Sequence, residues 1–150
     1  MNSEHSELNT AINHALQYIG TDYAKASGKI RTVLRRADFD REVIEETVRF
    51  LIDHDYLDER AYCRRLLKRH SGVKQKSAAL MRQLMREHGV SSDIIDEIAD
   101  EIEDDAITIA DYFALKYPHP EREDWLKMAR HLAGRGYSEY LIRKILEPYR

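Results

Sequence analysis

Apolar residues recur along this chain at the three-and-four spacing of a helix face, and no stretch keeps the strict alternation of a half-buried strand. At about 100° per residue, residues 58–70 place Tyr62, Cys63, Leu66 and Leu67 on one arc with His70, while Arg60, Arg64, Arg65, Lys68 and Arg69 fill the other. Residues 75–87 repeat the separation, with Leu80, Met81, Leu84 and Met85 opposite Lys76, Arg82 and Arg86. Ser71, Gly72 and Val73 break the two helices. A third helix, from Ser91 or Ser92 to about 103, carries the stripe Ile94, Ile95, Ile98 and Ile102, with Asp93 and Asp96 near its positive end. A further helix runs from Asp104 or Asp105 to 116, where Pro118 and Pro120 forbid continuation. Segments 11–19, 22–37, 41–53, 123–133 and 138–146 bring the predicted helices to nine.

These helices fall into threes. Phe39 precedes Ile44 as Val90 precedes Ile95 and Tyr137 precedes Ile142, each pair straddling a helix-to-helix turn. A leucine lies five or six positions upstream each time, at Leu34, Leu84 and Leu132. The offsets, 39 to 90 and 90 to 137, are near-equal, as in a repeated supersecondary unit. The expected architecture is all-α: three tandem three-helix repeats at 11–55, 56–103 and 104–150 after a flexible polar tail at 1–10. Each unit covers its neighbour's apolar side, so the array is expected to be elongated and curved.

Composition fits a helical globular chain, with 43% hydrophobic and 34% charged residues, six glycines and three prolines. A lone cysteine, Cys63, excludes an internal disulfide framework and reads as a buried small hydrophobe in a reducing compartment. No apolar run reaches the roughly 20 residues of a membrane span, and the polar start lacks the features of a signal peptide, so a cytoplasmic location is expected. Histidines stand singly, no Gly-rich phosphate loop or nucleophile elbow is present, and Asp104–Asp105 lacks the company of a metal loop. Neither an enzyme, a cofactor nor a metal centre is expected. Trp125 and the tyrosines at 56, 62, 112 and 137 share helical spacing with apolar neighbours and read as core; Tyr23 and Tyr149 are open.

Charge changes the picture. The net charge is −3, yet residues 60–86 hold nine Lys or Arg and no acid, and residues 87–115 hold ten Asp or Glu and no Lys or Arg. A solvated face explains any one such helix. Surfaces usually intersperse both signs, however, and nine like charges repel one another, which favours an anionic partner: DNA phosphate, with salt-dependent binding, or an acidic protein patch. The acidic stretch reads as capping and solubility.

Three pieces of the chain resemble one family. Tyr56-Leu57-Asp58-Glu59-Arg60-Ala61-Tyr62 is similar to the G-Y-L-D-D-x-R-F signature of bacterial RecX regulatory proteins. Leu80-Met81-Arg82-Gln83-Leu84 with His88-Gly89-Val90, and Arg135-Gly136-Tyr137-Ser138 with Leu141-Ile142, resemble its later I-x-x-E-L-x-x-K-G-I and R-G-Y-S-x-x-x-I segments. The likeness runs over about 11–147 in the right order. It departs in the first repeat: Asp38 stands where the family has Gly, Lys29 where an acid is common, and Gly28 is a glycine inside a predicted helix, at a cost of roughly 1 kcal/mol relative to Ala. Asp tolerates the left-handed conformation, so the turn at Asp38 is expected to survive.

The resemblance implies a monomeric, non-enzymatic modulator that binds the recombinase RecA and its DNA filaments. Such a protein limits filament growth, strand exchange and the coprotease activity behind the SOS response. The candidate contact surface is Arg64, Arg65, Lys68 and Arg69, then Lys74, Lys76, Arg82 and Arg86, with Lys25, Arg31 and Arg35 behind them. Two other readings stay open at this point: a sequence-tolerant DNA binder acting without RecA, and a helical-repeat adaptor whose basic face is incidental.

Overall fold

A computed structural model describes residues 3–150, Ser3 and Glu4 by their backbone alone. Among the described residues there is no strand. The helices are α1 (Ser3–Ile19), α2 (Ser27–Arg36), α3 (Arg41–Asp53), α4 (Glu59–Arg69), α5 (Ala78–Glu87), α6 (Ser92–Ile98), α7 (Asp105–Lys116), α8 (Trp125–Gly134) and α9 (Glu139–Leu146). Short 3-10 turns lie at Gly72–Lys74, Ala99–Glu101, Pro120–Arg122 and Glu147–Tyr149.

Several boundaries differ from the sequence expectation for local physical reasons. The tail predicted at 1–10 is helical from Ser3 onward, its first two residues lying outside the described ones. Half-buried Leu8 extends the stripe of Ala11, Ile12 and Ala15 one turn back, which the polar composition had hidden. Helix α2 starts at Ser27 rather than 22, because Asp22 folds the preceding segment by accepting the Ala24 N–H at 3.2 Å. Helix α5 starts at Ala78 rather than 75, where the Ser77 hydroxyl accepts the Leu80 N–H at 3.1 Å. Asp124 and Ser138 cap α8 and α9 in the same manner.

The chain divides into two compact units. Unit 1 runs to Arg65 and includes Met85–Asp96; unit 2 is Leu66–Leu84 with Glu97–Arg150. Unit 1 is built on α1, α2 and α3, where Ala15, Ile30, Leu34, Val48 and Leu51 are buried together. Unit 2 gathers Ile109, Tyr112, Met128, Leu132 and Leu146 from α7, α8 and α9. Each such large side chain contributes roughly 1.5–3 kcal/mol on burial.

One turn recurs at the three positions where the sequence repeats. The N–H groups of Phe39, Val90 and Tyr137 donate to the carbonyls of Leu34, Met85 and Leu132 at 3.2, 3.0 and 3.3 Å. Met85, not Leu84, is therefore the counterpart of the two leucines. Just before each acceptor-bound residue stands one with positive φ: Asp38 (64°), Gly89 (86°) and Gly136 (90°). This closure leaves the helix-end carbonyls satisfied. Asp38 bears out the expectation that aspartate serves where glycine is usual. The following helix opens with Ile44, Ile95 and Ile142 donating to Asp40, Ser91 and Ser138 at 2.9, 3.1 and 3.0 Å. Asp55 (60°) closes α3 the same way, with the Tyr56 N–H donating to the Leu51 carbonyl at 2.8 Å, so the turn is not confined to the three repeated positions.

Candidate interaction surface

Gly28, the glycine that seemed misplaced inside a helix, stands at the start of α2 against the turn after α5. Its N–H donates to the Gly89 carbonyl at 2.7 Å, and a Cβ added to it would fall 2.6 Å from the Gly89 Cα. Two backbones approach too closely for any side chain between them. Beside this contact Glu59, the first residue of α4 and only 4% exposed, accepts from the Ser27 N–H at 2.7 Å, the Ser91 N–H at 3.2 Å and the Ser91 hydroxyl at 2.8 Å. The buried carboxylate thereby serves two helix starts at once. All of these groups lie in unit 1.

Unit 2 holds a matching arrangement at the start of α5. Ser77 donates its N–H to the Arg135 carbonyl at 2.9 Å, and a Cβ on Gly136 would meet the Ser77 hydroxyl at 2.3 Å. Asp105, first in α7, accepts the Ala78 N–H at 2.8 Å. It is half-buried where Glu59 is buried.

The predicted segregation of α4 and α5 holds: Cys63, Leu66, Met81 and Met85 are at most 1% exposed, while Arg64, Arg65, Lys68, Arg69 and Arg86 face outward. Lys74 and Arg35 are exposed as well; Lys76, Arg82, Lys25 and Arg31 are half-buried. Three candidates are already engaged within unit 1. Arg65 forks onto Asp22 with contacts of 2.8 and 3.1 Å, and Lys25 lies 3.8 Å from the same carboxylate. Arg31 holds Glu45 at 2.9 and 3.2 Å. Hydrogen bonding from Arg65, with the Ala24 N–H behind it, draws Asp22 down to about 2 against burial. These pairs leave Arg65, Lys25 and Arg31 less charge to offer a partner than the sequence suggested. Among the described residues no ion pair engages Arg35, Lys68, Arg69, Lys74, Lys76, Arg82 or Arg86.

Arg135 is a cation that the sequence did not single out, since it stands at a turn outside the basic block. Its guanidinium lies over the Tyr112 ring at 5.2 Å. Burial, then the charges of Arg135 and Lys116, hold His131 below the usual histidine range. Tyr112 and Tyr137 are buried, and Tyr56, Tyr62 and Trp125 half-buried, as their spacing predicted. The Trp125 indole donates to the Leu146 carbonyl at 3.0 Å. Tyr23 and Tyr149 are 41% and 39% exposed. Among the described residues no helix is long and apolar enough to cross a membrane, and no group of three or more His, Cys, Asp or Glu side chains is placed to hold a metal.

No protein-family model matches the chain. It is 28% identical over 145 residues to the regulatory protein RecX of Prosthecochloris aestuarii, covering 95% of each chain. To the regulatory protein RecX of Clostridium acetobutylicum it is 30% identical over 147 residues, covering 91% of this chain and 67% of that one. Among solved structures, RecX from Lactobacillus salivarius superposes with a TM-score of 0.71 at 19% identity, over 97% of both chains, a likeness of fold.

Proposed function

The chain belongs to the RecX family of regulatory proteins, and from that premise we propose that it is a non-catalytic regulator that binds the recombinase RecA and its DNA filaments. In this reading it inhibits filament extension, strand exchange and coprotease activity in the cytoplasm, and so tempers recombinational repair and the SOS response. It acts as a monomer built of three tandem three-helix repeats, at 11–55, 56–103 and 104–150. The recurring turns at Phe39, Val90 and Tyr137 support that division.

The observation that carries the proposal is a likeness spanning nearly the whole chain to proteins named as regulators. Exposed and half-buried cations supply the physical means: an anionic filament is attracted over roughly a Debye length and held by contacts that salt weakens. Arg64, Lys68, Arg69, Lys74, Lys76, Arg82 and Arg86 are the leading contact residues, with Arg65, Lys25, Arg31 and Arg35 behind them. The test is the ATPase of RecA on single-stranded DNA. Stoichiometric chain is expected to suppress it; undiminished ATPase overturns the assignment.

A further inference from the structure

Unit 2 gathers cations around the start of α5 without matching them. The turn Gly72–Lys74 packs on α7, and two residues on, the half-buried Lys76 brings its Nζ to 3.2 Å from His70 Nδ1. The Gln75 side chain steadies the bend by donating to the Lys76 carbonyl at 3.0 Å. Ser77 then ties this segment to Arg135, whose guanidinium is fixed over Tyr112 of the same α7. The turn that ends at Lys74 and the Arg135 guanidinium thus both lie against α7, with Lys76 next to the Ser77 that is tied to Arg135, and no ion pair engages any of the three cations among the described residues. The acid at the start of α7, Asp105, is hydrogen-bonded to the Ala78 N–H.

Crowding has an electrostatic consequence. Burial lowers the Lys76 ammonium from its ordinary range, and the charges of Arg135 and then Lys74 push it the same way. Unit 1 does not leave this debt at the corresponding place. Lys25 stands two residues before α2 as Lys76 stands two before α5, yet Lys25 donates to the Asp22 carbonyl at 2.9 Å and has its carboxylate close by.

We propose that Lys74, Lys76 and Arg135 form a seat for a single phosphate group. The two ammonium groups act as point charges and the guanidinium as a fork for two of its oxygens. A dianion there relieves the mutual repulsion of three cations, which an ordinary wet surface would separate. The seat stands on this geometry; that its phosphate belongs to a DNA backbone rests on the regulatory reading above.

Amide and histidine NMR of the full chain tests the proposal, with inorganic phosphate and a short oligothymidylate as probes at ionic strength matched with chloride. Phosphate is expected to shift the Ser77 amide and the His70 ring saturably. Lys76→Met is expected to weaken that binding about tenfold or more, Lys74→Gln less, and the exposed Lys127→Ala not at all. Competition between oligothymidylate and phosphate for the same resonances assigns the group to a nucleic-acid backbone. Saturation by phosphate alone assigns it to free phosphate. No saturable shift with either probe, or shifts that Lys76→Met and Lys74→Gln both leave intact, overturn the seat. RecA takes no part in this measurement, so its failure and a failure to inhibit the RecA ATPase are separate results.

Discussion

At the start of α2 a buried carboxylate, Glu59, takes the Ser27 N–H and two donors of Ser91, whereas at the start of α5 a half-buried one, Asp105, takes the Ala78 N–H. The same contrast extends to the cations nearby. In unit 1 Lys25 and Arg65 converge on Asp22; in unit 2 Lys76 meets His70, and Arg135 lies on a ring. Two similar frames therefore differ in whether their charge is consumed internally. The first is organised for holding helices together, and the second leaves Lys76 and Arg135 outside any ion pair among the described residues.

Removing the carboxylate should hurt the first frame most. Glu59→Ala leaves buried donors without an acceptor and is expected to cost about 4 kcal/mol in urea unfolding, against about 1 kcal/mol for Asp105→Ala. Equal losses would erase the distinction. The glycines give a second comparison. Gly28→Ala pushes a Cβ against the Gly89 backbone, which cannot rotate away, for about 3 kcal/mol. At Gly136 the nearest obstacle is the Ser77 hydroxyl, and despite the strain of its φ of 90° a smaller loss, about 2 kcal/mol, is expected of Gly136→Ala.

The pH dependence of unit 1 follows from Asp22. Its folded pKa of about 2 lies below the ordinary 3.8, so the unfolded chain binds the proton more readily. The resulting stabilisation is present above about pH 4 and is lost as pH falls through 2. Asp22→Asn should remove that acid-side slope together with the stabilisation present above about pH 4, and by releasing Arg65 and Lys25 it should strengthen polyanion binding. The smallest effect belongs to unit 2: Lys76→Met is expected to leave the urea midpoint unchanged or slightly raised, since it relieves repulsion. A large destabilisation would show that Lys76 is structural.

Much of this was legible in the sequence, and the exceptions share a cause. Helix α3 is expected at 41–53, where the structure has it, because Ile44, Val48 and Leu51 recur at helical spacing, a local signal. The outward faces of α4 and α5 follow from periodicity for the same reason. Gly28 made no local sense because its reason is the Gly89 backbone, far along the chain. The engagement of Arg65 by Asp22, 43 residues away, was equally hidden, so a residue ranked among the first four contacts is already half spoken for. Arg135, named only within the R-G-Y-S segment, stands outside the contact candidates because a lone arginine between two glycines belongs to no charge run. Pairing across the fold, which periodicity cannot report, decides which cations remain for a partner.

The central claim is that exposed positive charge on this chain inhibits RecA. It is tested most directly by the ATPase of RecA on single-stranded DNA with Arg64, Arg65, Lys68 and Arg69 reversed together to Glu. The wild-type chain is predicted to inhibit at stoichiometric amounts and the reversed chain, folded by circular dichroism, to lose that inhibition. Inhibition that survives the reversal unchanged would contradict the account.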